Sequence, residues 1–121
     1  MANEITVSVN LVNSGLSVSS SWSGSSDQTN LRKSEQTKSV PTTAAGTAFA
    51  LGDVTTPRWA FFRNMEAVGG NYVQLGIQSG GTFYPFVRLD PQQGCVVRLD
   101  QAPYAVANTA AVKVLFAILD G

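Results

Sequence analysis

Histidine is missing from all 121 residues of this chain, and cysteine occurs once. Without histidine the commonest general base, the commonest zinc ligand and every Ser-His or Cys-His nucleophile pair are gone. A single cysteine builds neither an intramolecular disulfide nor a structural zinc site. Cys95 lies in an apolar strand pattern and reads as a buried structural thiol rather than a reactive one. Charge is scarce as well. Charged residues make up 13% of the chain, about half the usual share. Eight basic and eight acidic residues cancel to a formal net charge of zero.

These shortages exclude whole classes of partner. Nucleic-acid binding draws on clustered lysine and arginine, and the only adjacent basic pair is Arg32-Lys33, with Glu35 and Lys38 nearby, which reads as a solvated loop or strand end. No polybasic segment or amphipathic helix suggests a membrane surface, and no apolar run approaches the ~18 residues of a membrane span. The start, Met1-Ala2-Asn3-Glu4-Ile5, has no basic region followed by an apolar one, so synthesis in a cytoplasm is expected. Polarity comes instead from serine, threonine, asparagine, glutamine and glycine. A near-neutral surface resists self-association poorly, which suits faces that copies or partners cover.

Catalytic apparatus is equally thin. Gly69-Gly70 and Gly80-Gly81 sit between strand-like segments and read as hairpin turns, not phosphate loops. Asp90 and Asp100 are expected to face each other across a hairpin at Gly94, the one carboxylate pair a glycosidase mechanism could use, but each reads more simply as a turn residue. Arg88-Leu89-Asp90 and Arg98-Leu99-Asp100 put opposite charges on one strand face, as weak surface ion pairs. Asp53, Asp90 and Asp100 lack the dense spacing of a calcium loop. No catalytic, cofactor-binding or metal-binding residue is assigned, no cofactor is expected, and the chain does not read as an enzyme.

What is present is a series of short alternating segments. Ile5, Val7, Val9 and Leu11 alternate with polar residues, and after a turn at Asn13-Ser14-Gly15 so do Leu16, Val18, Ser20 and Trp22, which predicts a hairpin. Ser23 to Asn30 carries no apolar residue and is expected to be a loop. Leu31 to Val40 reads as an edge strand or ordered loop, and Thr47 to Leu51 as a strand. Further strands are predicted at 58–64, 72–77, 83–89, 95–99 and 112–119, with a helical turn or stretched loop over 104–111. In the turn Asp90-Pro91-Gln92-Gln93-Gly94, glycine is the residue expected to take a positive φ. The sum is an all-β fold: one domain over 1–121, a two-sheet, jelly-roll-like β-sandwich of about eight or nine strands.

Two strands are apolar on both faces. In 58–64, Phe61 and Phe62 point to opposite sides. In the last strand, Val112, Val114, Phe116 and Ile118 oppose Leu115, Ala117 and Leu119. Such strands are covered by a loop or by a subunit, so a homo-oligomer is expected. Exposed Trp22, Trp59, Tyr72 or Tyr84 would instead suit a glycan-binding module, although Trp59, Phe61 and Phe62 read first as core.

The order Arg58-Trp59-Ala60-Phe61-Phe62-Arg63-Asn64, Asn71-Tyr72-Val73-Gln74-Leu75-Gly76, Phe83-Tyr84-Pro85-Phe86-Val87-Arg88-Leu89 and Tyr104 to Val112 resembles small β-sandwich structural proteins of tailed-bacteriophage virions. The likeness spans roughly residues 45 to 119. It implies a virion component, most simply a capsid decoration or cement protein that oligomerises, for example as a trimer, on the major capsid protein. A tail or baseplate part and a glycan-binding module are the alternatives. It carries over no catalytic or ligand residue.

Overall fold

A computed structural model describes residues 4–28 and 31–121. Thr29 and Asn30, at the end of the expected loop, and Met1 to Asn3 lie outside the described residues. The chain divides into two compact units, Met1–Leu31 and Arg32–Gly121.

The first unit is an antiparallel ribbon of β1 (Glu4–Asn13) and β2 (Val18–Asp27), joined by a 3-10 turn at Ser14–Leu16. The Asn13 side chain accepts the Leu16 N–H at 3.1 Å, and Ser17 takes a left-handed φ of 56°. Directly opposed residues share a face, so Val9 and Trp22 stand together, flanked by the Val7/Gly24 and Leu11/Ser20 pairs. Ile5, Val7, Val9, Leu11, Val18 and Trp22 thus make one apolar face, and the other is mostly serine, threonine and asparagine with Glu4, Val12 and Asp27. Residues 23–27, expected to be loop, are strand. Serine gives no apolar signal there, but backbone pairing with Glu4 to Ser8 holds the segment extended.

The second unit is the sandwich. Its strands are β3 (Lys33–Val40), β4 (Thr47–Ala48), β5 (Pro57–Asn64), β6 (Val73–Ser79), β7 (Thr82–Leu89), β8 (Gly94–Arg98), β9 (Tyr104–Ala107) and β10 (Val112–Asp120). One sheet runs β3-β10-β5-β8 and the other β4-β9-β6-β7. Every partner is antiparallel. The pairs β3/β10, β4/β9, β5/β8 and β6/β7 nest inside one another, as in a long four-layer hairpin rolled up on itself. That order is a jelly roll.

The topology corrects several expectations. Gly80 and Gly81, with φ of 59° and 80°, make the tight β6–β7 hairpin as read. Gly69-Gly70 does not, because β5 and β6 lie in different sheets. The Asp90–Gly94 turn likewise carries the chain between sheets rather than closing a hairpin. There the positive φ falls on Gln92 (69°), not Gly94. Gln92 is held by its N–H to the Asn64 carbonyl and by its side chain to the Glu66 carbonyl and Arg63 guanidinium. The segment 104–111 contains strand β9, not a helical turn, and β4 is shorter than the expected 47–51.

Alternation places Val112, Val114, Phe116 and Ile118 of β10 inside, with Ala60 and Phe62 of β5 beside them. Val73 and Leu75 of β6 and Ala105 and Ala107 of β9 come from the facing sheet. Phe49, just after β4, touches both Phe62 and Phe116 across the interior, at centroid distances of 5.0 and 4.9 Å and tilts of 49° and 60°. Tilted aromatic packing of this kind adds to the burial of apolar area. Phe116→Ala should therefore lower unfolding free energy by about 3–5 kcal/mol. Phe86→Ala, at an exposed position, should shift it by less than about 0.5 kcal/mol. Urea unfolding of the two variants checks the contrast.

Candidate functional site

The buried polar groups come first, because catalysis would need one of them free. Asn64, at the end of β5, has no exposed surface. Its amide donates to the carbonyls of Asn71 and Leu89, both at 3.0 Å, and its carbonyl accepts the Glu66 N–H at 2.9 Å. One side chain thereby ties β5 to the approach to β6 and the exit of β7, and none of its polar atoms is left for a substrate. This is a structural role that the sequence reading missed. Its only signal is an asparagine where strand alternation demands an inward residue.

Asp120 is also fully buried. Its carboxylate accepts the N–H groups of Thr56 (3.0 Å) and Gly121 (2.9 Å), and Arg32 approaches at 3.4 Å. Burial pushes its pKa up, but the N–H donors of Thr56, Gly121 and Thr55, with Arg32, outweigh that and hold the carboxyl below its ordinary range. Arg32, half of the only adjacent basic pair, thus faces Asp120 and Thr55, while Lys33 pairs with Glu35 at 3.3 Å. Both partners are intrachain. Cys95 lies opposite Phe62, half-buried, and burial raises its thiol pKa.

The remaining carboxylates do not converge. Asp90 bonds the Arg88 side chain at 2.8 Å, the ion pair expected from their spacing. Asp100 follows β8 in the other sheet, and Asp53 sits exposed in a loop. Among the described residues no group of three or more Cys, Asp or Glu is arranged to hold a metal ion.

Apolar surface is what remains, and it is concentrated in three places. The first is the exposed part of the ribbon's apolar face, where Leu11 is 68% and Trp22 51% exposed. The second is the outer face of the β3-β10-β5-β8 sheet. Leu115, Ala117 and Leu119 of β10, Trp59 and Phe61 of β5 and Val96 of β8 are only partly covered there.

The third is a cleft of about 350 Å³ where the two sheets part. Phe62 and Val97 line it from one sheet and Leu75, Ile77 and Val87 from the other, with Arg98, Asp100 and Gln101 supplying polar atoms. Phe86 also lines this cleft and is 93% exposed. Its position has a local cause. Leu75 pairs with Val87 but Gly76 pairs with Pro85, so Phe86 is the extra residue of a β-bulge. Proline cannot donate to the ladder, and the Tyr84 and Pro85 backbone presses so close to Gly76 that no side chain fits. Tyr84, beside the bulge, is exposed. Tyr72 is half-buried and carries the Arg88 guanidinium over one face of its ring, 3.7 Å from the centroid.

No family model matches the chain, and no curated protein or solved structure matches it either.

Two outcomes follow from these contacts. Gly76→Ala forces a Cβ into the Tyr84 backbone, so it should destabilise the chain and abolish the bulge, read as displaced amide resonances of Tyr84, Phe86 and Val87. For Asp120, the folded pKa lies below the ordinary 3.8, so its contribution is complete above 3.8 and lost as pH falls through the folded value. Asp120→Asn should lower stability at neutral pH and shrink the drop in urea midpoint on acidification.

Proposed function

We propose that this chain is a non-enzymatic structural protein that works by self-assembly, in the manner of a capsid decoration protein of a tailed phage. The observation that supports it most is the outer face of β10 and β5. Leu115, Ala117, Leu119, Trp59 and Phe61 form an apolar row on a sheet whose other face already fills the core. A sheet that is apolar on both faces is completed by a neighbouring surface. The zero net charge leaves no long-range repulsion between copies. The buried carboxylate and amide are consumed by structural hydrogen bonds, which fits a role in binding rather than chemistry. The assignment to a virion rests on the resemblance of residues 45 to 119 to phage structural proteins, and the capsid is the favoured location.

Light scattering on the purified chain should give a multiple of 12.8 kDa at micromolar concentration. A strict monomer would overturn self-assembly. Genes for portal, maturation protease and major capsid protein beside this one would support the capsid location, and tail-tube or baseplate genes would move it to the tail. Neighbours encoding metabolic enzymes would remove the virion reading.

A further inference from the structure

Four strands form the edges of the sandwich, β3 and β8 in one sheet and β4 and β7 in the other. A sheet edge offers a row of free N–H and C=O groups, and natural edges are blunted against pairing. Three of these four are. β3 carries Lys33, Glu35 and Lys38. β4 is two residues long. β7 is interrupted by Pro85 and by the bulge at Phe86. β8 is the exception. Gly94–Arg98 holds no proline, its ladder with β5 runs without a register shift, and its one charge is the last residue. Among the described residues it pairs with β5 alone.

Two bonds fix the direction of its backbone. Leu99 donates its N–H to the Arg58 carbonyl, and Asn64 donates to the Gln93 carbonyl at 2.9 Å. Positions in an antiparallel ladder alternate, so Gln93, Cys95, Val97 and Leu99 turn their backbone groups to β5. Gly94, Val96 and Arg98 therefore turn theirs outward, along the free edge.

A second copy of β8 matches that pattern. Antiparallel about Val96, the pairs are Gly94 with Arg98, Cys95 with Val97 and Val96 with Val96. Each outward residue meets an outward residue, and all five residues of the strand are used. Register shifts that keep this parity leave two residues of each strand outside the ladder. Charge agrees as well. Each Arg98 stands opposite a glycine, and the two arginines lie at opposite ends, so no like charges face each other.

The two-fold axis is normal to the sheet, so the facing sheets of both copies stay on one side of it. Their clefts then meet mouth to mouth, and each Phe86, 93% exposed in the single chain, gains an apolar surface. The side of the sandwich bordered by β7 and β8 is about 26 Å long and about 20 Å deep, so two copies bury about 1,000 Å². That area is at the low end for specific contacts and suits a micromolar dimer.

On these grounds we propose that two copies pair antiparallel through β8, with Val96 on the two-fold axis, joining two four-stranded sheets into one. This pairing rests on the self-assembly reading above and specifies its interface. The contact is isologous and closes as a dimer.

The test is full-length Val97→Cys, oxidised with copper phenanthroline and run on a non-reducing gel. Cys95 of one copy and position 97 of the other form a non-hydrogen-bonded pair, with Cα atoms about 4.5 Å apart, within disulfide reach. Two Cys95 residues are diagonal neighbours about 7–8 Å apart, too far to bridge. Val97→Cys should therefore give a disulfide-linked dimer, and neither wild type nor Cys95→Ser/Val97→Cys should. Val96→Pro removes the outward N–H on the axis and no bond to β5. It should fold by circular dichroism and associate at least about tenfold more weakly by light scattering. If it fails to fold, Val96→Lys replaces it, setting two like charges opposite each other. Crosslinking of wild type or of Cys95→Ser/Val97→Cys would overturn the Val96-centred register and with it the proposal. An oligomeric wild type with no Val97→Cys dimer, or with undiminished association of the position-96 variant, would overturn β8 pairing and leave self-assembly standing. A monomeric wild type would remove both proposals.

Discussion

Contact between Phe49, Phe62 and Phe116 is the interaction on which the sandwich depends. Phe62 and Phe116 are direct cross-strand partners on β5 and β10, so they present a paired aromatic surface from the middle of one sheet. Phe49 meets both from the start of the other sheet's edge, and its N–H is bonded to the Pro103 carbonyl ahead of β9. Around that contact the valines and alanines of β6, β9 and β10 close the interior. The sheets part toward β7 and β8, where the cleft opens with Phe62 as one of its walls.

Polar side chains then fix what packing leaves loose. Asn64 holds the crossover from β5 to β6 at one end of the sandwich, and Asp120 holds the 55–56 loop and Arg32 at the other. Both sit at positions where strand alternation sends a residue inward. In both, a buried polar group is fully satisfied, so its burial costs little and its geometry is specific. Histidine is not needed for such work, and its absence removes the one side chain whose ordinary pKa lies close to neutral.

Much of this was legible in the residues. Alternation placed β1, β5, β6, β7 and β10 as strands and the inward face of β10, and the Gly80-Gly81 turn is as read. Trp59 and Phe61, read first as core, instead lie on the outer face of β5, while only Phe62 is buried. Three further things were not legible. Residues 23–27 are strand without any apolar residue, because β1 supplies the register and serine backbone pairs as well as any other. Tyr104–Ala107 is strand in spite of its alanines, because β6 offers it an edge, and tertiary pairing overrides a weak local preference. The Gly94 turn changes sheets because β5 and β6, far away in sequence, already fix which edge each neighbour can use. Of the candidate residues, Trp22 and Tyr84 were identifiable from sequence, but Phe86 was not. Its exposure arises from a bulge, and the local hints were only Pro85 and an isolated Gly76.

The nested pairing has a consequence for synthesis. β3 finds its partner only in β10, some seventy residues later, so the outermost pair of the sandwich cannot close until Val112–Asp120 has been made. β1 and β2 are separated by four residues and can pair while the rest is still on the ribosome. During translation, then, a formed ribbon precedes the closed sandwich. Crowding of nascent chains on one message would bring such ribbons together before the sandwich has closed, and the serine-rich, weakly apolar composition of β2 limits how strongly they can adhere in that interval.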